Sequence, residues 1–135
     1  MGILSLIGLY LAISYSHLTP DIRLKKNKLD NYLIQKGYKT DYILLSGYRP
    51  PWLNKMMPLS AKKSVHQQGK AIDLLLFDIN GNGYFDNDDL TIVSNALDHL
   101  DKKYPHQRGG VGLYHRSFPR MIHFDVSGIH RHWDY

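Results

Sequence analysis

Apolar and polar positions change their rhythm several times along this chain, and each change marks an element. Residues 3–13 form an unbroken apolar run apart from small residues, the length of a signal-peptide core and too short to cross a bilayer comfortably as a helix. Ser14-Tyr15-Ser16 follows as a small-x-small cleavage pattern, although no lysine or arginine precedes the run. A signal segment and a packed first helix both fit, so residues 1–19 are set apart from a domain over 20–135. Thr19-Pro20-Asp21 then reads as a helix start, with a capping hydroxyl, a proline in the first turn and an acid near the positive end of the dipole. Ile22, Leu29 and Leu33 line one side as far as Lys36, and Gly37 closes the helix.

Residues 42–46 and 71–77 are near-continuous apolar runs of strand length. The first leads into Gly47-Tyr48-Arg49-Pro50-Pro51, where the double proline imposes an extended exit. In the second, period-two alternation puts Ala71, Asp73 and Leu75 on one face. Ile122, Phe124 and Val126 alternate in the same way with His123 and Asp125. Between these strands Leu90, Val93, Leu97 and Leu100 recur at helical spacing, with Lys102-Lys103 at the negative end. The pattern predicts one α+β domain: a central, mostly antiparallel sheet with polar groups on one face and helices near 20–36 and 89–103 against the other.

Composition narrows the partners. Hydrophobic residues at 43% and charged residues at 21% of 135 positions are ordinary for one globular domain. The net charge of +5 favours anionic partners such as cell-wall polymers. No arginine-rich recognition helix is present, so nucleic acid is not expected, and the lysine pairs at 25–26, 62–63 and 102–103 read as solvated surface. Stable membrane insertion of the mature domain is not expected either, and a monomer is. With no cysteine, metal ligands have to come from histidine and carboxylate.

Such ligands are available. Asp73 lies in an apolar run, where a carboxylate without a partner is costly and a bound cation is a common remedy. His66, Asp73 and the remote His123 make a three-ligand set of the kind that holds Zn²⁺ with one position open, and Gly69 lets the backbone turn between the first two. A second ion is suggested by residues 78–89. Asp78, Asn80, Asn82, the Tyr84 carbonyl, Asp86 and Asp89 fall at positions one, three, five, seven, nine and twelve of an EF-hand-type Ca²⁺ loop, with Gly83 at six. Asp89 is shorter than the usual glutamate and a strand precedes the loop, so an Asn-Gly turn that binds nothing is the competing reading. The glycines at 109, 110 and 112 lack the strand-to-helix context of a nucleotide site; they suit close strand approach or a bulge.

Ser64-x-His66-x-x-Gly69-x-Ala71-x-Asp73, preceded by Ser46-Gly47-Tyr48-Arg49-Pro50 and followed by Gly109-Gly110-Val111-Gly112-x-Tyr114 and Ile122-His123-x-Asp125, resembles the zinc D-alanyl-D-alanine carboxypeptidase and hedgehog-like superfamily. The ending Gly128-Ile129-His130-Arg131-His132-Trp133 is similar to that of its peptidoglycan-endopeptidase branch. The resemblance implies an exported, periplasmic or cell-surface zinc peptidase cutting peptidoglycan stem peptides or cross-links, as endopeptidase or carboxypeptidase. It also implies that Arg49 faces the site, against the plainer reading of a surface arginine; Ser64 is a candidate substrate contact, and Tyr114 either lines the substrate site or is a packing residue. Better-studied members carry an acid three positions before the last histidine, where this chain has Arg120. Asp125 is the nearest replacement, as general base or as a group orienting a ligand, and His115, His130 and His132 are further candidate proton carriers, with solvated surface as the plainer reading of each. The missing acid leaves open a catalytically inactive wall-binding relative, and a calcium-stabilised interaction domain stands beside it.

Overall fold

Alternation along one strand fixes how the domain is layered. In the computed structural model, which describes residues 2–46, 68–114 and 120–134, Ile72, Leu74 and Leu76 turn into the core while Asp73 faces the opposite side of the sheet. The elements run in the order α1 (Ile3–Ser16), α2 (Pro20–Gln35), β1 (Tyr42–Ser46), β2 (Ala71–Leu76), α3 (Asn87–Lys103), a short 3₁₀ turn (Pro105–Gln107), β3 (Gly110–Leu113), β4 (Met121–Asp125) and β5 (Arg131–Asp134). The sheet order is β1-β2-β4-β3-β5. Every pairing is antiparallel except that of β3 with β5, which is parallel. The fold is therefore α+β on a mostly antiparallel sheet.

One apolar layer joins the sheet to two helices. Ile22, Leu29 and Leu33 of α2 and Leu90, Val93, Leu97 and Leu100 of α3 pack on Ile72, Leu74, Leu76, Val111, Ile122 and Phe124. α3 starts at a reciprocal capping box, in which Asp86 accepts from the first-turn backbone and Asp89 accepts from the Asp86 N–H. At the start of α2 Thr19 is the N-cap but its side chain makes no cap bond. The expected hydroxyl cap is absent, and the residue is held instead by its own backbone, Thr19 N–H donating to Gly69 O at 2.9 Å. Gly69 has φ +67, and a Cβ there would strike the His17 carbonyl, so both the turn and the close approach need glycine.

The lysine at 25 departs from the surface reading. It lies on the same helical stripe as Ile22, Leu29 and Leu33 and is 1% exposed. Its Nζ sits 2.6 Å from Asp101 Oδ1 of α3 and donates to the Asp125 carbonyl of β4 at 2.8 Å. Burial lowers its pKa against the opposing pull of Asp101 and Asp125. Lys102 and Lys103 are exposed as expected; positions 62–63 lie outside the described residues.

On α1, Ile3, Leu4, Leu6, Ile7 and Leu9 are all exposed. No helix among the described residues is long and apolar enough to cross a membrane.

Candidate functional site

The face of the sheet away from the helices carries the polar groups that alternation predicts. Asp73 of β2 stands directly across from His123 of β4, and His123 in turn across from Gly112 of β3. Backbone pairing of β2 with β4 thus sets the spacing of the first two side chains. His123 Nδ1–H donates to Asp73 Oδ1 at 3.0 Å and Nε2–H donates to Asp125 Oδ2 at 2.9 Å. All three side chains are buried.

Asp125 is itself held. Its Oδ1 accepts from Gly110 N–H at 2.8 Å and from Ser127 N–H and Oγ–H at 3.0 and 2.7 Å. Burial alone would raise its pKa, but the bonds from His123, Ser127 and Gly110 outweigh it and hold the carboxyl well below the usual range. For His123, burial would lower the pKa, yet the bonds and charges of Asp125 and Asp73 push it up to about 9. A cation held between Nδ1 and Asp73 would take the place of any proton on Nδ1.

The fit to a metal can be judged from the Nδ1 to Oδ1 separation. Two ligand atoms about 2.0–2.2 Å from a tetrahedral zinc lie roughly 3.3 Å apart, and this pair is 3.0 Å apart with both side chains fixed by their strands. Asp125 sits behind the ring, where a carboxylate fixes the tautomer of a ligating histidine. His66, Ser64 and Arg49, the remaining expected members, lie outside the described residues. Tyr114, one residue past β3 and bonded through its N–H to Met121 O at 3.4 Å, continues the row of Gly110 and Gly112 and is half-buried.

A wall that the chain pattern did not announce is Trp133 of β5. Its indole lies over Gly110 and Gly112, where a Cβ on Gly112 would come within 2.6 Å of Nε1, and its ring centroid is 5.1 Å from that of His123. The glycines do permit close approach, to a side chain as well as a strand. The signal, a tryptophan in one short strand and alternate glycines in another, is legible only once β3 and β5 are paired. His130 and His132 are engaged elsewhere, with Asp98 and Asp101 of α3. Arg120, at the position where an acid was expected, is exposed and lays its guanidinium over the Phe85 ring at 5.1 Å. His115 lies outside the described residues.

In the 78–89 loop the Asp78 carboxylate accepts from the N–H groups of Gly81, Asn82 and Gly83, and Asn80 and Asn82 accept from Asn82 and Tyr84 N–H. Asp89 is fully buried, and its oxygens take the N–H groups of Ile79, Asn80 and Asp86.

Residues 18–133 match a family of peptidases. It is the family of the peptidoglycan L,D-endopeptidase MepK, and the chain belongs to it. The resemblance to the peptidoglycan-endopeptidase branch read from the motifs is thereby borne out. No curated protein and no solved structure matches the chain.

Proposed function

We propose that the chain is a zinc-dependent peptidase acting outside the cytoplasm on peptide bonds of peptidoglycan stem peptides or cross-links. The observation that carries this reading is the 3.0 Å approach of His123 Nδ1 to Asp73 Oδ1 on a buried, strand-fixed face. His66, Asp73 and His123 are the proposed zinc ligands. A zinc ion there supplies a Lewis acid that polarises a peptide carbonyl and acidifies water. Asp125 orients the His123 ring; with both oxygens already bonded and no exposure, it is poorly placed to take a proton from water. Arg49, Ser64 and Tyr114 are assigned to substrate. The L,D bond is the one expected, because the matched family is named for it. The net charge of +5 suits an anionic wall, and the exposed apolar α1 is assigned to export.

Purified muropeptides incubated with the zinc-loaded chain and analysed by mass spectrometry should lose an L,D-linked residue or cross-link. Retention of muropeptides on the protein without any cleavage would instead favour a wall-binding module, the reading to which Arg120 in place of an acid lends weight.

We also propose that the 78–89 loop takes Ca²⁺ through Asp78, Asn80, Asn82, the Tyr84 carbonyl, Asp86 and Asp89. The support is the inward fold of the loop around Asp78, with Gly81 and Gly83 at positive φ. Because Asp89 already closes the loop through backbone N–H groups, the affinity expected is weak, with a dissociation constant on the order of 10⁻⁴–10⁻³ M. Millimolar calcium should raise the melting temperature relative to chelator. No shift would leave the loop a closed Asn-Gly turn.

A further inference from the structure

Away from the Asp73–His123 face, a second group of ligand atoms converges where β5 meets α3. Asp98 Oδ1 lies 2.6 Å from His132 Nε2 and 3.3 Å from His130 Nε2. The two imidazoles stand nearly perpendicular, with centroids 5.2 Å apart. We propose that Asp98, His130 and His132 form a second transition-metal site, for Zn²⁺ or another borderline divalent ion, that clamps β5 to α3.

Three features separate this cluster from an ordinary surface ion pair. The donor set is two imidazoles and a carboxylate, with ligand atoms within 4.8 Å of one another. The Asp98–His130 separation equals the roughly 3.3 Å edge of a tetrahedral zinc site, and the shorter Asp98–His132 contact is a hydrogen bond that an ion would replace. His130 is also oriented from behind: its Nδ1 is 2.6 Å from Asp101 Oδ2, which makes Nδ1 the donor and leaves the Nε2 lone pair for a metal. That support is rigid, because Asp101 is buried, bonded to Gly109 N–H and paired with the buried Lys25. Asp98 comes from α3, and His132 and His130 from β5 and the residue just before it, so an ion would close a link between the helix and this strand. His132 pairs in register with Val111 and turns to the helix side, while the neighbouring Trp133 pairs with Gly112 and turns to His123. Clamping β5 would thus hold the indole in place. The half-exposed histidines leave the remaining coordination positions to water, and Cu²⁺ or Ni²⁺ would compete with Zn²⁺ at such a site.

The test is a Co²⁺ titration of the untagged, metal-stripped full chain in the presence of calcium, followed by visible absorption and by stoichiometry after gel filtration. Circular dichroism on every variant checks the fold. The expected result is two equivalents for the wild type and one each for Asp98→Asn and His132→Gln, with the outer affinity falling by at least the ~10–100-fold that loss of a supporting hydrogen bond costs a metal site. Asp73→Asn should keep the outer ion. If Asp98→Asn and His132→Gln both bind as many equivalents as the wild type, the proposal is overturned. A wild type that binds one ion, lost in Asp98→Asn and kept in Asp73→Asn, would uphold this site and count against the zinc peptidase reading.

Discussion

Asp73→Asn should abolish muropeptide hydrolysis, lowering kcat/KM by on the order of 10³-fold or more, the loss of several kcal/mol of Lewis-acid stabilisation. The amide is nearly isosteric, so β2 and its register with β4 should survive. What goes is the negative charge opposite His123 Nδ1, and with it most of the attraction for a cation. Elemental analysis should show a transition-metal equivalent lost in parallel with activity. Asp125→Asn provides the contrast. An asparagine whose oxygen keeps the Gly110 and Ser127 bonds presents its NH₂ to His123 Nε2, favouring the tautomer with the proton on Nδ1. That opposes metal binding, so zinc affinity should fall about 10–100-fold while saturating zinc restores turnover. If turnover stayed down by roughly 10³-fold in saturating zinc, Asp125 would be the general base after all.

The largest stability effect is expected at Lys25. Lys25→Met removes one partner of a buried pair and leaves Asp101 charged with only Gly109 N–H and His130 for company, while the Asp125 carbonyl loses its donor. Breaking such a pair costs about 3–5 kcal/mol, which urea denaturation should report as a lower midpoint at unchanged slope. The double variant Lys25→Met/Asp101→Asn should recover part of the loss, because no uncompensated charge then remains in the interior. A single-variant loss below ~1 kcal/mol would mean that water reaches Asp101 and that the pair is not the tie between α2, α3 and β4 described above.

The layered arrangement was legible because period-two alternation is a local property. Asp73 and His123 each stand out as polar residues in apolar strands, and both fall on the face away from the helices. The helix spacing of Leu90, Val93, Leu97 and Leu100 was equally plain and equally correct. Lys25 was misread because its neighbour Lys26 made the two look like a charged surface patch, whereas the spacing to Ile22, Leu29 and Leu33 places it on the buried stripe. Trp133 over Gly112, and Asp98 beside His130 and His132, depend on which distant elements become neighbours. A linear pattern carries no such information. Thr19 has the right chemistry for a cap, but the packing of its segment on Gly69 determines the local geometry.

Asp73 and His123 sit on β2 and β4, each of which has a partner strand on both sides, with β1 on one flank and the β3–β5 pair on the other. Fraying begins at a sheet's borders, so the spacing between this aspartate and this imidazole is insulated from the commonest local openings. A peptidase with no cysteine to cross-link it would in that way keep Asp73 and His123, its proposed metal ligands, aligned through such openings.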